Sequence, residues 1–160
     1  MSGFRRGTRL GVDVGKARIG VARCDPDGML AVPVETVPRS DTSVTRIAEL
    51  VSEWEPVEIV VGLPVNMRGE ETPSTLDAKE FAADLARATG IPVRLVDERL
   101  STVTAHAALR SSGRNQKNSR SIVDQVAAVV LLQHAVDTEK STGRPTGDLI
   151  RLDEEPPADA

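Results

Sequence analysis

Three carboxylates of this sequence stand where a purely structural role would not place them. Asp13 lies in the middle of the small apolar run LGVDVG, and Glu98 directly follows the apolar stretch PVRLVD. Asp124 precedes Ala128 and Leu131 at helical spacing, so it is expected to point with the apolar side of its helix. Because a carboxylate in an apolar setting is costly unless a positive partner meets it, these acids are candidates for metal binding.

The predicted strand order allows the three acids to meet. If the first strand pairs with the fourth and the fourth with the fifth, the outer two lie about 9–10 Å apart. Two metal ions about 3.5–4 Å apart, each with oxygen ligands near 2.1 Å, span roughly 8 Å between such strands. A site with oxygen ligands alone favours Mg²⁺ or Mn²⁺ over zinc. Two-metal sites of this kind suit phosphodiester hydrolysis.

Two of these acids also have a structural interpretation, and both interpretations stay open. Asp13 could form an ion pair with Arg18, which follows a Gly-Lys turn. Asp124 could complete a capping box that begins at Ser121, and capping does not exclude a second role.

The positive charges are clustered, although the formal net charge is −4. The last 13 residues hold five acids and one base, and the rest of the chain has 19 of each. One basic cluster precedes the first strand and the other lies in a segment without acids; their members are Arg5, Arg6 and Arg9, and Arg110, Arg114, Lys117 and Arg120. A local basic surface is sufficient for contact with phosphates, whereas a merely solvated loop is the alternative.

Hydrophobic periodicity predicts an α/β domain with a five-stranded mixed sheet and helices on both faces. Three antiparallel strands come first, within 10–22 and 29–37, followed by a helix whose cap is Ser40 or Asp41. A buried strand at 57–62, a long loop, a helix capped by Thr72, and a strand at 92–96 follow. A third helix at about 101–110, a basic loop, and a buried last helix at about 121–139 complete the prediction.

A chain of 160 residues suits one domain, predicted over residues 1–140, with a mobile acidic tail over 141–160. The alternative is that Leu149, Ile150 and Leu152 dock on the body as a short extra element. The sequence has no signal-peptide pattern and no apolar run of about 20 residues, so a cytoplasmic protein without a membrane segment is expected. A homodimer is possible and Cys24 could bridge two copies, although a buried thiol is favoured.

Four stretches of the chain resemble the motifs of the YqgF/RuvX family. They are GVDVGKARIGVA, VVGLPVNMRGEETP, VDERLST and SIVDQVAAVVLLQ, and together they run from Leu10 to about Gln133. The resemblance implies an RNase H-like fold and places the metal-binding, catalytic acids of the family on Asp13, Glu98 and Asp124. One departure is Arg68, since the family often has an acid at this position of the long loop.

The family is described as a Holliday junction resolvase and as the nuclease that matures the 5′ end of pre-16S rRNA. The resemblance and the acid set together predict a hydrolase of ester bonds that uses Mg²⁺ or Mn²⁺ and takes pre-rRNA or a four-way DNA junction as its partner. Six cations are predicted to contact the nucleic acid, namely Lys16, Arg18, Arg99, Arg114, Lys117 and Arg120. A non-catalytic nucleic-acid-binding protein, and a nucleotide-binding enzyme related to actin-like ATPases, are the competing hypotheses.

Overall fold

The structure is a computed structural model that describes residues 4–97 and 116–150, with side chains from residue 125 onward in the second range. The elements are β1 (Arg9–Val14), β2 (Arg18–Cys24), β3 (Ala31–Pro38), α1 (Ser43–Trp54), β4 (Glu58–Leu63), α2 (Pro73–Thr89), β5 (Val93–Asp97), α3 (Gln116–Thr142) and β6 (Asp148–Leu149). Within these ranges, no helix has the length and apolar character needed to span a membrane. The helix predicted at 101–110 lies outside the described residues.

All six strands form one mixed sheet in the order β3-β2-β1-β4-β5-β6. β1, β2 and β3 are antiparallel neighbours, and β3 is an edge strand, as its Pro33 predicts. β4 lies parallel to both β1 and β5, which confirms the strand pairing on which the predicted acid site depends. β1, β4 and β5 therefore finish at the same end of the sheet, which we call the carboxyl end.

The two faces of the sheet are covered by different helices. Leu10 and Val12 of β1 belong to a core shared with Ile47 of α1 and Leu85 of α2. Residues of the opposite parity, such as Val60 of β4, pack in a second core with Ala128, Leu131 and Ala135 of α3. Because side chains of a strand alternate between the faces, each strand position can be assigned to the α1/α2 face or the α3 face.

The sheet has six strands rather than the predicted five, because β6 pairs antiparallel with β5. Ile150 directly follows β6 in the chain. Its backbone N–H donates to the carbonyl oxygen of Val93 at 2.9 Å, and its side chain packs on the α1/α2 core. Thr146 is tied to α3 by a hydrogen bond from its Oγ1 to the carbonyl oxygen of Ala135 at 2.7 Å. The alternative in which Leu149 and Ile150 dock is therefore what the structure shows, and residues 151–160 lie outside the described part of the chain.

The observed start of α2 agrees with the start predicted from the sequence, whereas α1 and α3 begin at other residues than predicted. Thr72 is the N-cap of α2 with Pro73 in the first turn, as predicted. α1 begins at Ser43 and not next to Ser40 or Asp41, because Ser43 Oγ donates to the carbonyl oxygen of Pro38 and accepts from the backbone N–H of Ser40. α3 begins at residue 116 and not at 121, so Lys117 and Arg120 lie on a helix instead of a loop.

Candidate active site

Asp13 lies near the end of β1 in a part of the sheet that carries little side-chain volume. It is paired with Gly20 of β2, and Gly62 of β4 follows Val61, the partner of Val12. Asp13 shares its parity with Gly11 and is opposite in parity to Leu10 and Val12, so it belongs to the α3 face. The Asp13 carboxylate is half-buried, and the glycines beside it are positions at which another group can approach the backbone closely.

The middle of α3 crosses the sheet over β1, the strand that carries Asp13. At Gly11 the helix comes so close that an added Cβ would lie 2.8 Å from the Cβ of Leu132 and 3.0 Å from the carbonyl oxygen of Ala128. Further toward the carboxyl end, Gln125 Nε2 donates to Thr36 Oγ1 at 2.8 Å. Thr36 pairs with Gly20, the partner of Asp13, so residue 125 lies over the same row of the sheet as Asp13.

For the other two predicted acids, Glu98 and Asp124, the structure describes the position of the adjacent residue but not the acid's own side chain. Asp124 directly precedes Gln125 in α3, and its side chain lies outside the described part of the structure. Glu98 also lies outside the described residues and directly follows Asp97, the last residue of β5, which pairs with Leu63. Among the described side chains, no group of three or more His, Cys, Asp or Glu is arranged to hold a metal ion.

Asp97 itself is exposed and belongs to the α1/α2 face, since Val93 and Leu95 of the same parity contact that core. It therefore lies on the opposite side of the sheet from Asp13.

Of the six predicted nucleic-acid contacts, the structure describes the side chains of two. Lys16 is exposed in the β1–β2 turn. Arg18 shares the α3 face with Gly20 and is a diagonal neighbour of Asp13, a distance of about 7–8 Å between Cα atoms in an antiparallel pair. Arg99 and Arg114 lie outside the described residues, and only the helical backbone is described at Lys117 and Arg120.

The arginines around the start of β1, which the sequence shows as a basic cluster, form ion pairs with acids of the same chain. Arg9 is buried with Glu139 of α3, at 3.2 Å between Nη2 and Oε2. Arg5 contacts Glu139 at 2.8 Å and Glu58 of β4 at 3.1 Å, and Arg6 pairs with Asp27. These ion pairs join the start of β1 to the last turns of α3, at the end of the sheet opposite the carboxyl end.

The arginine contacts also set the ionisation of Glu139. Burial alone would raise the pKa of this carboxyl, but the hydrogen bonds and positive charges of Arg5 and Arg9 outweigh it and lower the pKa below its usual value. Glu139 is therefore a permanently charged structural group at neutral pH.

Sequence analysis missed Arg39, which organises a cleft at the carboxyl end on the α1/α2 face. Its guanidinium donates to both carboxylate oxygens of Asp77 at 2.9 and 2.7 Å and lies over the ring of Phe81. The hydrogen bonds from Arg39 lower the pKa of Asp77. The cleft has a volume of about 560 Å³, and Lys16 and Asp41 also line it. Because its two cations face two carboxylates, the cleft has no charge preference for phosphate.

The long loop between β4 and α2 forms a compact turn. Val65 and Glu71 pair across its base, and the backbone N–H of Gly69 donates to the carbonyl oxygen of Asn66 at 2.9 Å. Arg68, the departure from the family pattern, is exposed at the tip of this turn.

Cys24 is buried, and burial raises the pKa of its thiol. Its Sγ accepts a contact from the backbone N–H of Arg9 at 3.4 Å. A thiol in this position is unsuited to bridging two copies of the chain, in agreement with the favoured prediction.

This chain is similar to known proteins in sequence and in fold. The model of the RuvX family, described as Holliday junction resolvase, matches residues 7–138. The "Putative pre-16S rRNA nuclease" of Clavibacter michiganensis is 56% identical over 150 residues, 92% of this chain and 93% of that protein. The protein of the same name from Streptomyces coelicolor is 54% identical over 152 residues, 93% of this chain and 91% of that protein.

The fold is also similar to that of a solved structure. Thermus thermophilus RuvC in complex with a Holliday junction substrate has a TM-score of 0.56 at 19% identity, and the match covers 86% of this chain and 98% of that one. This likeness confirms the predicted RNase H-like fold. Since the family model covers most of the chain and the relatives exceed 50% identity, this chain belongs to the RuvX (YqgF) family.

Proposed function

We propose that this protein is a metal-dependent nuclease that hydrolyses phosphodiester bonds in structured nucleic acid, with pre-16S rRNA as its substrate. The observation that carries the proposal is the crossing of α3 over β1, which brings the residue next to Asp124 over the row of Asp13. The parallel pairing of β1, β4 and β5 adds the end of β5, where Glu98 follows.

Asp13, Glu98 and Asp124 are proposed as the catalytic, metal-binding acids. Their carboxylate oxygens are ligands that fit Mg²⁺ or Mn²⁺. When bound, a pair of such ions supplies an activated water and stabilises the leaving oxygen. The protein holds the carboxylates in place through the buried contact between Gly11 and α3, since ligands on packed elements keep their geometry.

Lys16, Arg18, Arg99, Arg114, Lys117 and Arg120 are proposed to contact phosphates around these acids. Lys16 lies in the turn after β1 and Arg18 begins β2, so both are at the carboxyl end of β1, the end at which Asp13 lies. Cations in this position offset the repulsion between the acids and the substrate backbone and hold the strand in register.

The names of the relatives favour pre-16S rRNA as the substrate, and we propose a cytoplasmic location for the protein. A second candidate is cleavage of four-way DNA junctions, which the description of the family model favours.

A side-by-side cleavage assay tests the proposal. Purified protein with Mn²⁺ is incubated with a synthetic pre-16S rRNA leader and with a synthetic four-way DNA junction, and the products are mapped at nucleotide resolution. We expect metal-dependent cleavage of the leader at a defined position. Cleavage of the junction alone would support the second candidate, and binding of either substrate without cleavage would contradict the nuclease assignment.

A further inference from the structure

Two glutamines of α3 attach this helix to the edge strand β3. Gln125 Nε2 donates to Thr36 Oγ1 at 2.8 Å, and Gln133 Oε1 accepts the backbone N–H of Ala31, also at 2.8 Å. The two glutamines are separated by about 12 Å along the helix. Thr36 and Ala31 lie toward opposite ends of β3, so α3 runs antiparallel to this strand. The two hydrogen bonds therefore hold the helix in one register on the sheet.

The two hydrogen bonds differ in their position relative to the acid site. Thr36 pairs with Gly20, and Gly20 pairs with Asp13, so these residues form one row across β3, β2 and β1. Directly paired residues share a face of the sheet, and Gly20 has no side chain to separate Asp13 from Thr36. Their backbones are two strand spacings apart, about 9–10 Å. Ala31, in contrast, begins β3 at the other end of the sheet.

Gln125 is also next to the acid that α3 contributes. Asp124 directly precedes it in the helix, and the first described side chain of α3 that belongs to a buried core cluster is that of Ala128. Apolar packing has no preferred direction, whereas a hydrogen bond requires a defined distance and angle. The bond of the half-buried Gln125 therefore restricts the position of the helix backbone at Asp124 more narrowly than the packing of Ala128 does.

We infer that Gln125 is a positioning residue, whose hydrogen bond to Thr36 holds the Asp124 segment of α3 where Asp124 and Asp13 bind the same metal ions. The inference rests on the proposed nuclease function and adds two residues that determine the metal affinity without binding the metal. Groups that orient metal ligands in this way typically change metal affinity by about 10–100-fold when they are substituted.

The test uses four variants of the full chain. Gln125→Leu and Thr36→Val each remove the hydrogen bond with little change in side-chain volume, and Thr36→Ser keeps the hydroxyl group. Gln133→Leu is the matched control, because it removes a hydrogen bond of equal length between the same helix and the same strand, far from Asp13. Each variant should fold, and both glutamine variants should lower Tm by a few degrees.

The first measurement is the Kd of each protein for Mn²⁺ without RNA, from titrations in which the EPR signal reports the free ion. We expect the Kd to rise about tenfold or more in Gln125→Leu and Thr36→Val, and to return to the wild-type value in Thr36→Ser. Gln133→Leu should bind Mn²⁺ like the wild-type protein. Asp13→Asn identifies the acid site as the origin of the signal, because it should lose this binding.

The second measurement is cleavage of the pre-16S rRNA leader as a function of Mn²⁺ concentration. Gln125→Leu should need about tenfold more Mn²⁺ for half-maximal cleavage, in parallel with its Kd, whereas the control should follow the wild-type curve.

A wild-type Kd in Gln125→Leu would overturn the inference and leave the nuclease function intact. An equal rise of the Kd in Gln133→Leu would also overturn it, because the effect would then follow from any loosening of α3. If the wild-type protein binds no Mn²⁺, or Asp13→Asn binds it equally well, the proposed metal site itself is contradicted, and the role of Gln125 with it.

Discussion

Replacing Gly11 with alanine tests whether the acid site depends on the close contact between β1 and α3. The added Cβ would lie 2.8 Å from the Cβ of Leu132 and 3.0 Å from the carbonyl oxygen of Ala128. Neither atom belongs to the flexible end of a side chain, so relief requires α3 to move away from the sheet. That movement displaces the segment carrying Asp124 from the row of Asp13.

The size of the effect follows from the overlap. Overpacking of a buried contact by one carbon costs about 1–3 kcal/mol in the free energy of unfolding. For a chain of this length, that corresponds to a fall in Tm of about 2–12 °C. A displacement of about 1 Å between catalytic groups can cost about a hundredfold in rate. We therefore expect Gly11→Ala to lose far more activity than stability.

The assay compares Gly11→Ala with Ile47→Val. Ile47 is fully buried against the other face of the sheet, and its substitution lowers stability by about 1 kcal/mol without touching α3. Both proteins are melted and then assayed for RNA cleavage well below their Tm. The control should keep its activity. Wild-type activity in Gly11→Ala with a lowered Tm would refute the dependence of the site on this contact, and an unchanged Tm would refute the overlap itself.

Three further predictions test other parts of the account. Changing Arg114, Lys117 and Arg120 together to alanine should weaken nucleic-acid binding and make its salt dependence shallower by up to three units, as measured by titration at several ionic strengths; an unchanged slope would mean that these residues are only solvated. Truncation after Gly147 should lower Tm by several degrees, because it removes β6 and the packing of Ile150; an unchanged Tm would show that the docked segment adds nothing. Glu139, whose pKa is lowered in the folded state, stabilises the fold above its unfolded pKa of about 4.5, and this contribution is lost as the pH falls through the lower folded value. In Glu139→Gln, the acid-side decline of Tm should therefore be shallower, and an identical decline would contradict the ion-pair assignment.

Local sequence patterns were sufficient to predict the strands β1 to β5 and the acid on β1. The alternation around Asp13 and the buried run at β4 place both strands, and the apolar spacing of Ala128, Leu131 and Ala135 predicts the buried side of α3. These signals lie within short windows of sequence, where period and burial are tightly linked.

Features that depend on contacts between residues far apart in the sequence could not be predicted from it. Arg5 and Arg9 looked like a free basic cluster, because their partner Glu139 is more than 120 residues away. β6 has only two residues, too few for an alternation pattern, and its role is to cover the edge of β5. The position of α3 over Asp13 likewise depends on Gln125 and Thr36, which the sequence gives no reason to pair.

The central claim, that Asp13, Glu98 and Asp124 hold the metal ions for cleavage, is tested most directly by cleavage of the pre-16S rRNA leader as a function of Mn²⁺ concentration. Asp13→Asn, Glu98→Gln and Asp124→Asn are compared with Asp97→Asn, a control that removes an acid next to Glu98 from the opposite face of the sheet. We predict that each of the three variants binds the RNA but does not cleave it at any Mn²⁺ concentration, while Asp97→Asn cleaves like the wild-type protein. Full activity in any of the three, or an equal loss in Asp97→Asn, would contradict the account.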